Sequence, residues 1–406
     1  MKSTAVRVSA LLLLLSLPAG AAWAQTVPAP APSAVVASSS VLADPLFQEE
    51  TRIGLNHLYD MDFGAADQIF GRITARYPDH PVGPYLQALL PWWAIQLEPD
   101  DASQDPVVLA KMERVIDLCE RRLKKDPADL DALFFKSGAH ALRGRLHADR
   151  RHWIKAARDG QQALRALQEV VKRDPYNDDL YFGLGLFNYL ADVVPKQYRI
   201  LRPFTRLFPK GDREQGIVQL ERAMRKGQFT PAEAAYSLLQ IHFVFEKDWH
   251  ASLRYATWLR ARHPGNSVFH VFEGRIYERM GRWNDAARVF KEVADRHAKG
   301  QSGYTDAMAE QALYLLARVE MWQRRHGEAL AYIERLERLT STRPIMTEYK
   351  ALGRLRKGMA LDALGKRTEA VSCYRDVLDM KGTYDGDDDV RNRARNYIRK
   401  PYRDRA

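Results

Sequence analysis

The chain of 406 residues is predicted to be an all-α solenoid of stacked helical hairpins. From Leu46 to about Met380, apolar residues recur at the period of an α-helix, and the alternation typical of strands is scarce. Small residues at positions 216, 251 and 286 recur at a step of 35 residues. One unit of that size cannot bury its own apolar face, so neighbouring copies must stack. The prolines expected at helix junctions are Pro78, Pro127, Pro175 and Pro264.

The segment from Val268 to Arg296 shows the repeated unit most clearly. Its small residues would let two antiparallel helices touch, and its aromatic residues would fill the space beside them. The residues that carry this pattern are Gly274, Tyr277, Gly281, Ala286 and Phe290. Their offsets are typical of a tetratricopeptide repeat (TPR) hairpin. We therefore expect residues 46–380 to form a right-handed TPR superhelix of about seven to eight hairpins, some with long helices and insertions.

Two segments before the predicted solenoid are not expected to take part in it. Lys2 and Arg7, the leucine run that follows and the sequence Ala22-Trp23-Ala24 predict a cleaved signal peptide over residues 1–24. Residues 25–45 are rich in Pro, Ala and Ser and predict a flexible linker. No later stretch reaches the roughly 18 apolar residues of a transmembrane segment. The protein is therefore predicted to be exported or secreted, to the periplasm in a Gram-negative source, with envelope association left open.

The formal net charge of +11 is concentrated at the carboxy terminus. Residues 391–406 contain seven Lys and Arg residues against one Asp, and we expect residues 381–406 to form a basic capping helix and tail. A nucleic-acid-binding protein would more often carry a basic stripe along its fold, so no nucleic-acid partner is expected. The basic end suits either contact with an anionic surface or simple solvation.

The two cysteines, Cys119 and Cys373, lie far apart in the sequence. Two isolated cysteines do not make the framework that stabilises small secreted domains. Both lie at apolar positions of the helical pattern, so buried free thiols are the preferred interpretation. The hydrophobic core alone is then expected to stabilise the fold.

Residues 181–224 depart from a generic repeat. The departure is carried by Gly183 and the segment Gly185–Asn188, by Pro195-Lys196, and by Gly211-Asp212-Arg213 with Gly216. On these residues the segment resembles the signature region of the eukaryotic tetratricopeptide repeat domain 39 family, which includes a yeast inclusion-body-clearance protein. The resemblance implies a non-catalytic TPR adaptor with some relation to lipid. Export through a signal peptide would be a departure from that family.

An insertion at residues 192–210 combines apolar and cationic side chains. Its candidate contact residues are Arg199, Arg202, Phe204, Arg206 and Phe208. A cationic amphipathic stretch with aromatic residues can lie in a membrane interface or bind a partner. It can equally pack its apolar side along a neighbouring helix and leave the arginine heads in water. Gly211-Asp212-Arg213 is expected to form the turn and N-cap of the next helix.

The first helix of each TPR hairpin is expected to line a concave face. Chaperone-type clamps place Lys and Asn there to bind a peptide carboxylate, whereas this chain places mostly aromatic residues, so we expect capture of an apolar partner segment. The alternative is that insertions and the terminal helix fill the groove. The predicted partner-binding residues are Phe182, Tyr189, Tyr236, Phe243, Arg275, Tyr314, Arg318 and Trp322.

No motif of catalysis or cofactor binding is recognisable in the sequence. His242, Glu246 and His250 have the spacing of metal ligands on one helix, but a predicted turn at residues 246–248 would separate them. We therefore expect a non-enzyme without cofactor or metal: an exported scaffold that binds a protein partner of unknown identity. The alternative is a peripheral protein that binds an anionic lipid surface through the insertion and the basic tail.

Overall fold

A computed structural model describes residues 40–197, 209–341, 343, 346–380 and 387–404. Across these residues the chain forms α-helices, one 3-10 turn and one π-helical turn, with no strand. The predicted all-α class is therefore confirmed. The helices are α1 (Pro45–Tyr59), α2 (Phe63–Arg76), α3 (Val82–Leu97), α4 (Asp105–Lys125), α5 (Leu130–Asp149), α6 (Trp153–Arg173), α7 (Leu180–Gln197), α8 (Arg213–Lys226), α9 (Pro231–Ile241), α10 (Trp249–Arg262), α11 (Ser267–Arg279), α12 (Trp283–Ala298), α13 (Asp306–Trp322), α14 (His326–Ser341), α15 (Glu348–Ala363), α16 (Arg367–Asp379) and α17 (Asp387–Arg399).

The chain divides into two compact units. The amino-terminal unit contains the described residues up to Trp93 together with Ser103–Glu246. Its consecutive helices pack as α1 with α2, and as an unbroken series from α4 to α9. The carboxy-terminal unit contains Ala94–Ala102 and the described residues from Lys247 onward. There, each helix from α10 to α17 packs against the next one in the chain.

A second set of contacts gives the carboxy-terminal unit its layered architecture. Helix α13 packs against both α11 and α15, and α15 also packs against α17. The alternate helices α11, α13, α15 and α17 therefore form an inner layer, and α12, α14 and α16 form an outer layer. This is the arrangement expected when the first helix of every hairpin faces the same side.

Three hairpins are closed by a glycine that lies directly against an aromatic ring. The Cβ of an alanine at Gly274 would lie 2.4 Å from Cε1 of Phe290, and one at Gly358 would lie 2.4 Å from Cε1 of Tyr374. Gly54 has the same relation to Phe70, at 2.5 Å. In all three hairpins the glycine and the ring lie 16 residues apart in the sequence. Because the glycine has no side chain, the ring can pack against the backbone of the facing helix.

Five of the turns inside the hairpins share one backbone conformation. In each of them, the backbone N–H of the residue after the turn residue donates to a carbonyl oxygen five positions before the donor, at 2.7–2.9 Å, as in a Schellman motif. Only two of these turn residues are glycines, so the sequence does not mark the turn uniformly. The residues with positive φ in these turns are Met61, Arg151, Gly281, Arg324 and Gly365.

Around the predicted insertion, the helix bounds and the positions of prolines differ in part from those that the sequence predicts. Helix α7 continues to Gln197 with Pro195 inside it, and Pro91 lies inside α3, so proline does not mark helix junctions throughout. Each of these prolines leaves one helical carbonyl without its usual donor. Asp212 is the N-cap of α8, as predicted, and its Oδ1 accepts from the backbone N–H of Gln215 at 2.9 Å. The five candidate residues of the insertion lie outside the described residues: Arg199, Arg202, Phe204, Arg206 and Phe208.

Both cysteines are buried free thiols, as the sequence analysis preferred. Burial raises the pKa of the Cys119 thiol to about 12 and also raises that of Cys373. A buried thiol held in its neutral form acts as a small apolar side chain of the core.

The glycine–ring contact makes a direct stability prediction. Replacing Gly274→Ala should lower the free energy of unfolding by about 1–3 kcal/mol, because the new methyl group displaces the Phe290 ring from a tightly packed position. The matched control is Gly327→Ala, whose added Cβ meets nothing within 4 Å in the same unit. Urea unfolding followed by circular dichroism measures both variants. Equal stability of the two would contradict the proposed role of the contact.

Candidate partner-binding site

The inner layer of the carboxy-terminal unit encloses a cavity of about 760 Å³. Its wall is contributed by α11, α13, α15, α17 and the chain after α17, with two turn residues. The lining side chains are Lys247, Arg279, Tyr314, Arg318, Met321, Trp322, Arg324, Glu348, Leu352, Arg356, Met359, Arg393, Tyr397, Tyr402, Arg403 and Asp404. Seven of these are Lys or Arg and two are acidic, so the wall is strongly cationic.

The arginines in this wall are held against aromatic and acidic groups. Arg318 is half-buried and pairs with Glu278, with 2.5 Å between Nε and Oε1. Arg356 donates from Nη2 to the hydroxyl of Tyr314 at 3.1 Å, and its guanidinium lies 5.1 Å from the centre of that ring. Such contacts between guanidinium groups and ring faces are attractive and fix the orientation of the charge.

The positive charge of the cavity changes the ionisation of its central tyrosine. Burial by itself raises the pKa of the Tyr314 hydroxyl, but the charges of Arg356 and Arg318 outweigh burial. The pKa of Tyr314 is therefore lowered from its usual value, which is the behaviour expected where an anion is stabilised by fixed cations. The same field would stabilise an anionic group of a bound molecule.

A stacked pair of tryptophans includes one exposed member, Trp322, in the wall of this cavity. Trp322 ends α13 and is 61% exposed, although it contributes to the cavity wall. Its ring stacks on Trp283 of α12, with 5.4 Å between ring centres and 16° between the planes. Large exposed aromatic residues are enriched at the centre of protein–protein interfaces, because they bury much area at a low entropy cost.

The chain after α17 closes one side of the cavity. The backbone N–H of Tyr402 donates to Oδ2 of Asp362 at 2.8 Å, and Asp404 lies 2.8 Å from Nε2 of His326. The Tyr402 ring also packs edge-on against Tyr397, with 5.7 Å between ring centres. Aromatic residues from α17 and from this tail therefore complete a wall that α13 and α15 begin.

A second cavity, of about 240 Å³, lies within the amino-terminal unit. Its wall is predominantly apolar and includes Phe135, Leu142, Phe182 and Leu186 from α5 and α7. Phe182 is one of the eight groove residues predicted from the sequence. The polar part of the wall includes Arg145 and Glu233, so this cavity differs in charge and size from that of the carboxy-terminal unit.

The structure distributes the eight predicted groove residues among different environments. Tyr314, Arg318 and Trp322 are brought together in the larger cavity, and Phe182 lies in the smaller one. Arg275 is half-buried, and its guanidinium lies 5.4 Å from the ring centre of Phe272. The remaining three, which line neither described cavity, are buried in the amino-terminal unit: Tyr189, Tyr236 and Phe243.

Two of these three buried aromatic residues, Tyr189 and Tyr236, have described packing partners. The Tyr189 hydroxyl donates to Oε1 of Glu246 at 2.5 Å, and the same carboxylate accepts from Arg213. Tyr236 packs on Trp93 with 5.9 Å between ring centres. Their role in partner binding stays a prediction.

Several residues of the larger cavity were not singled out by the sequence. Arg279, Arg356, Arg393 and Tyr402 all line it, and Arg356 lies directly on Tyr314. The repeat register predicts inward positions of the first helices alone, so it does not include α17 and the tail. The basic residues of α17 and the tail predict a capping helix instead.

The described residues contain neither a cluster of potential metal ligands nor a membrane-spanning helix. No three His, Cys, Asp or Glu side chains lie together in a way that could hold a metal ion within these residues. In the same part of the chain, no helix is long and apolar enough to cross a membrane. His242 and Glu246 lie in a π-helical turn and His250 in α10, with Lys247 at φ 55° between them.

A family profile described as tetratricopeptide repeat matches residues 272–344, which run from α11 to just beyond α14. This segment contains the Gly274–Phe290 hairpin and the α13 side of the larger cavity. This matched segment carries tetratricopeptide repeats. The two-layer stacking of α11 to α17 is consistent with further TPR-like hairpins beyond the matched segment.

Comparison with other known proteins adds little to this assignment. No curated protein matches the chain. A solved structure of Naa15/Naa10 bound to HypK-THB is 15% identical, covers 88% of this chain and has a TM-score of 0.30. The TPR domain of P58(IPK) is 13% identical, with 87% of this chain and 98% of that chain covered and a TM-score of 0.24. This chain spans 64% of the length of the chain matched in the first of these structures.

The lowered pKa of Tyr314 can be tested by titration. The ultraviolet difference spectrum between the protein and its Tyr314→Phe variant should show one tyrosine ionising below the usual pKa of about 10. Replacing Arg356→Met removes the nearest cation and should move that transition to higher pH. Tyr374→Phe is the control, because burial raises the pKa of Tyr374. A Tyr314 transition above the usual value would contradict the described electrostatics.

Proposed function

We propose that the protein is an exported, non-catalytic scaffold that captures a segment of a partner protein in the cavity of its carboxy-terminal unit. The observation that carries this proposal is the convergence of Tyr314, Arg318 and Trp322 in one cationic, aromatic cavity on the inner layer of TPR hairpins. TPR solenoids present such concave faces to extended or helical segments of other proteins. The partner would be anchored on Trp322 and oriented by Arg318, which is paired with Glu278.

The composition of the cavity suits a segment of a partner protein. The cavity has a volume of about 760 Å³, and Trp322 in its wall is 61% exposed. Arginine and aromatic residues together are the composition typical of binding hot spots. The excess of cations favours a segment that carries acidic side chains among apolar ones.

Export and the absence of catalysis belong to the same proposal. The signal-peptide pattern at residues 1–24 supports an exported scaffold, periplasmic if the source is Gram-negative. A non-catalytic role is supported by the lack of a recognisable catalytic motif in the sequence. The resemblance of residues 181–224 to the tetratricopeptide repeat domain 39 family would agree with an adaptor, and membership of that family remains part of the proposal.

The second candidate function is peripheral binding to an anionic lipid surface. It rests on the cationic insertion at residues 192–210 and on the basic carboxy terminus. Part of that terminus makes contacts within the fold. Arg391 donates to the carbonyls of Leu378 and Met380, and Arg393 and Arg403 line the larger cavity. Fewer cations are then left for a membrane, which favours the scaffold.

Cross-linking in the native envelope tests the scaffold. Lys247 lies in the cavity wall, so an amine-reactive cross-linker should join it to a partner peptide that mass spectrometry identifies. Trp322→Ala should weaken binding of that partner by about thirtyfold, or about 2 kcal/mol, because it removes the exposed anchor. Tyr176→Ala, which removes a 60% exposed aromatic residue of the other unit, should leave binding unchanged. Equal binding by both variants would contradict the proposed site.

Vesicle flotation separates the lipid alternative from the scaffold. Co-flotation with vesicles containing anionic phospholipid, abolished by the triple change Arg199→Glu, Arg202→Glu and Arg206→Glu, would favour lipid binding through the insertion. The scaffold predicts no flotation at physiological ionic strength, and partner cross-links that persist in the triple variant. Flotation of both proteins alike would indicate non-specific adsorption and would support neither function.

A further inference from the structure

The smaller cavity of the amino-terminal unit has the features of a ligand site. It is enclosed by α1, α3, α5, α6, α7 and α9, and apolar atoms make up most of its surface. Among the described residues, the charged side chains in its wall are Arg145, Asp179 and Glu233. A mostly apolar cavity with a few convergent polar groups is the usual form of a small-molecule site.

Arg145 is the unusual group in this wall. Its Nε and Nη2 atoms are buried, and neither has a hydrogen-bond acceptor among the described residues. The guanidinium lies 5.1 Å from the ring centre of Trp92, which is itself buried and lines the cavity. Leaving two charged N–H donors unpaired away from water is costly, so this edge of the guanidinium is suited to receive an acceptor.

The two carboxyl groups of the wall do not satisfy that edge. Asp179 already accepts from the backbone N–H groups of Gln228, Phe229 and Thr230 at 2.9–3.1 Å, and from the Thr230 hydroxyl at 2.7 Å. The pKa of Glu233 is raised by burial, although the charge of Arg145 acts in the opposite direction. A carboxyl group held towards its neutral form only weakly compensates the charge of Arg145.

The geometry of the free edge indicates the chemistry of the acceptor. Nε and Nη2 lie on one side of the planar guanidinium, and together they match the two oxygens of a carboxylate. The cavity volume of about 240 Å³ sets the size of the attached apolar group. Because a dry apolar cavity of about 150 Å³ holds benzene, this one has room for about ten non-hydrogen atoms.

We infer that the amino-terminal unit binds a small carboxylate with an apolar tail of about seven carbons, its two oxygens accepting from Nε and Nη2 of Arg145 and its tail lying among the aliphatic and aromatic side chains of α5 and α7. This site is separate from the partner-binding cavity and does not depend on it. Ala141 is exposed and also lines the cavity, which places it where a ligand can enter.

Titration calorimetry with octanoate tests this inference, because octanoate has the expected size and charge. The purified protein should bind one octanoate, and Arg145→Met should weaken binding by about tenfold or more while keeping the bulk of the side chain. Arg158→Met is the matched control, an exposed arginine on α6 outside the cavity, and should bind octanoate like the unchanged protein. Ala141→Phe should also weaken binding, because the ring would obstruct the entrance.

Two ligand controls keep the test decisive if Arg145→Met does not fold. Octylamine has the same tail with the opposite charge, and octan-1-ol has the same tail without charge. The unchanged protein should bind octanoate more tightly than either of them, by about tenfold over the amine. Equal binding of octanoate and octylamine, several equivalent octanoate sites, or no detectable octanoate binding would each overturn the inference.

Discussion

The contact between a helix-backbone glycine and an aromatic ring is the constraint on which the rest of the structure depends. In the hairpins that contain Gly274 and Gly358, the ring of the second helix reaches the backbone of the first. The close approach of the two helices fixes the orientation in which each of these hairpins presents its first helix to the next hairpin. The series α11, α13, α15 and α17 can then pack side by side, and the cationic cavity forms on that layer.

The turns show how the fold keeps this geometry without a uniform sequence. A positive φ costs little at Gly281 and Gly365 but is unfavourable at Arg324, Met61 and Arg151. In each case the backbone N–H of the residue after the positive-φ residue donates to a carbonyl near the end of the preceding helix, and this hydrogen bond offsets the backbone strain. A conformation that hydrogen bonding and packing impose can therefore recur where the glycine signal has been lost. This explains why the repeats are structurally more regular than the sequence suggests.

The sequence predicted the hairpins well, because small and aromatic residues at fixed offsets report directly on helix–helix contact. It also predicted the N-cap at Asp212, because an N-cap bond joins an Asp side chain to a backbone N–H only a few residues later in the sequence. It could not predict the burial of Tyr189 and Tyr236, because exposure on an inner face depends on which neighbouring elements cover it. Nor could it predict that Arg356 lies on Tyr314, since these residues belong to different hairpins whose relative placement is set by packing.

Basic residues near the carboxy terminus make contacts within the fold, so their charge need not be available to bind an external surface. Arg391 donates to the carbonyls at the end of α16, and Arg367 donates to the carbonyls of Tyr397 and Ile398 at the end of α17. Cations at these positions satisfy carbonyls that have no helical partner and interact favourably with the helix dipole. Arg393 of α17 instead joins the cavity wall. The cations of α17 thus have two roles: Arg391 caps the preceding helix, and Arg393 adds to the positive charge of the larger cavity.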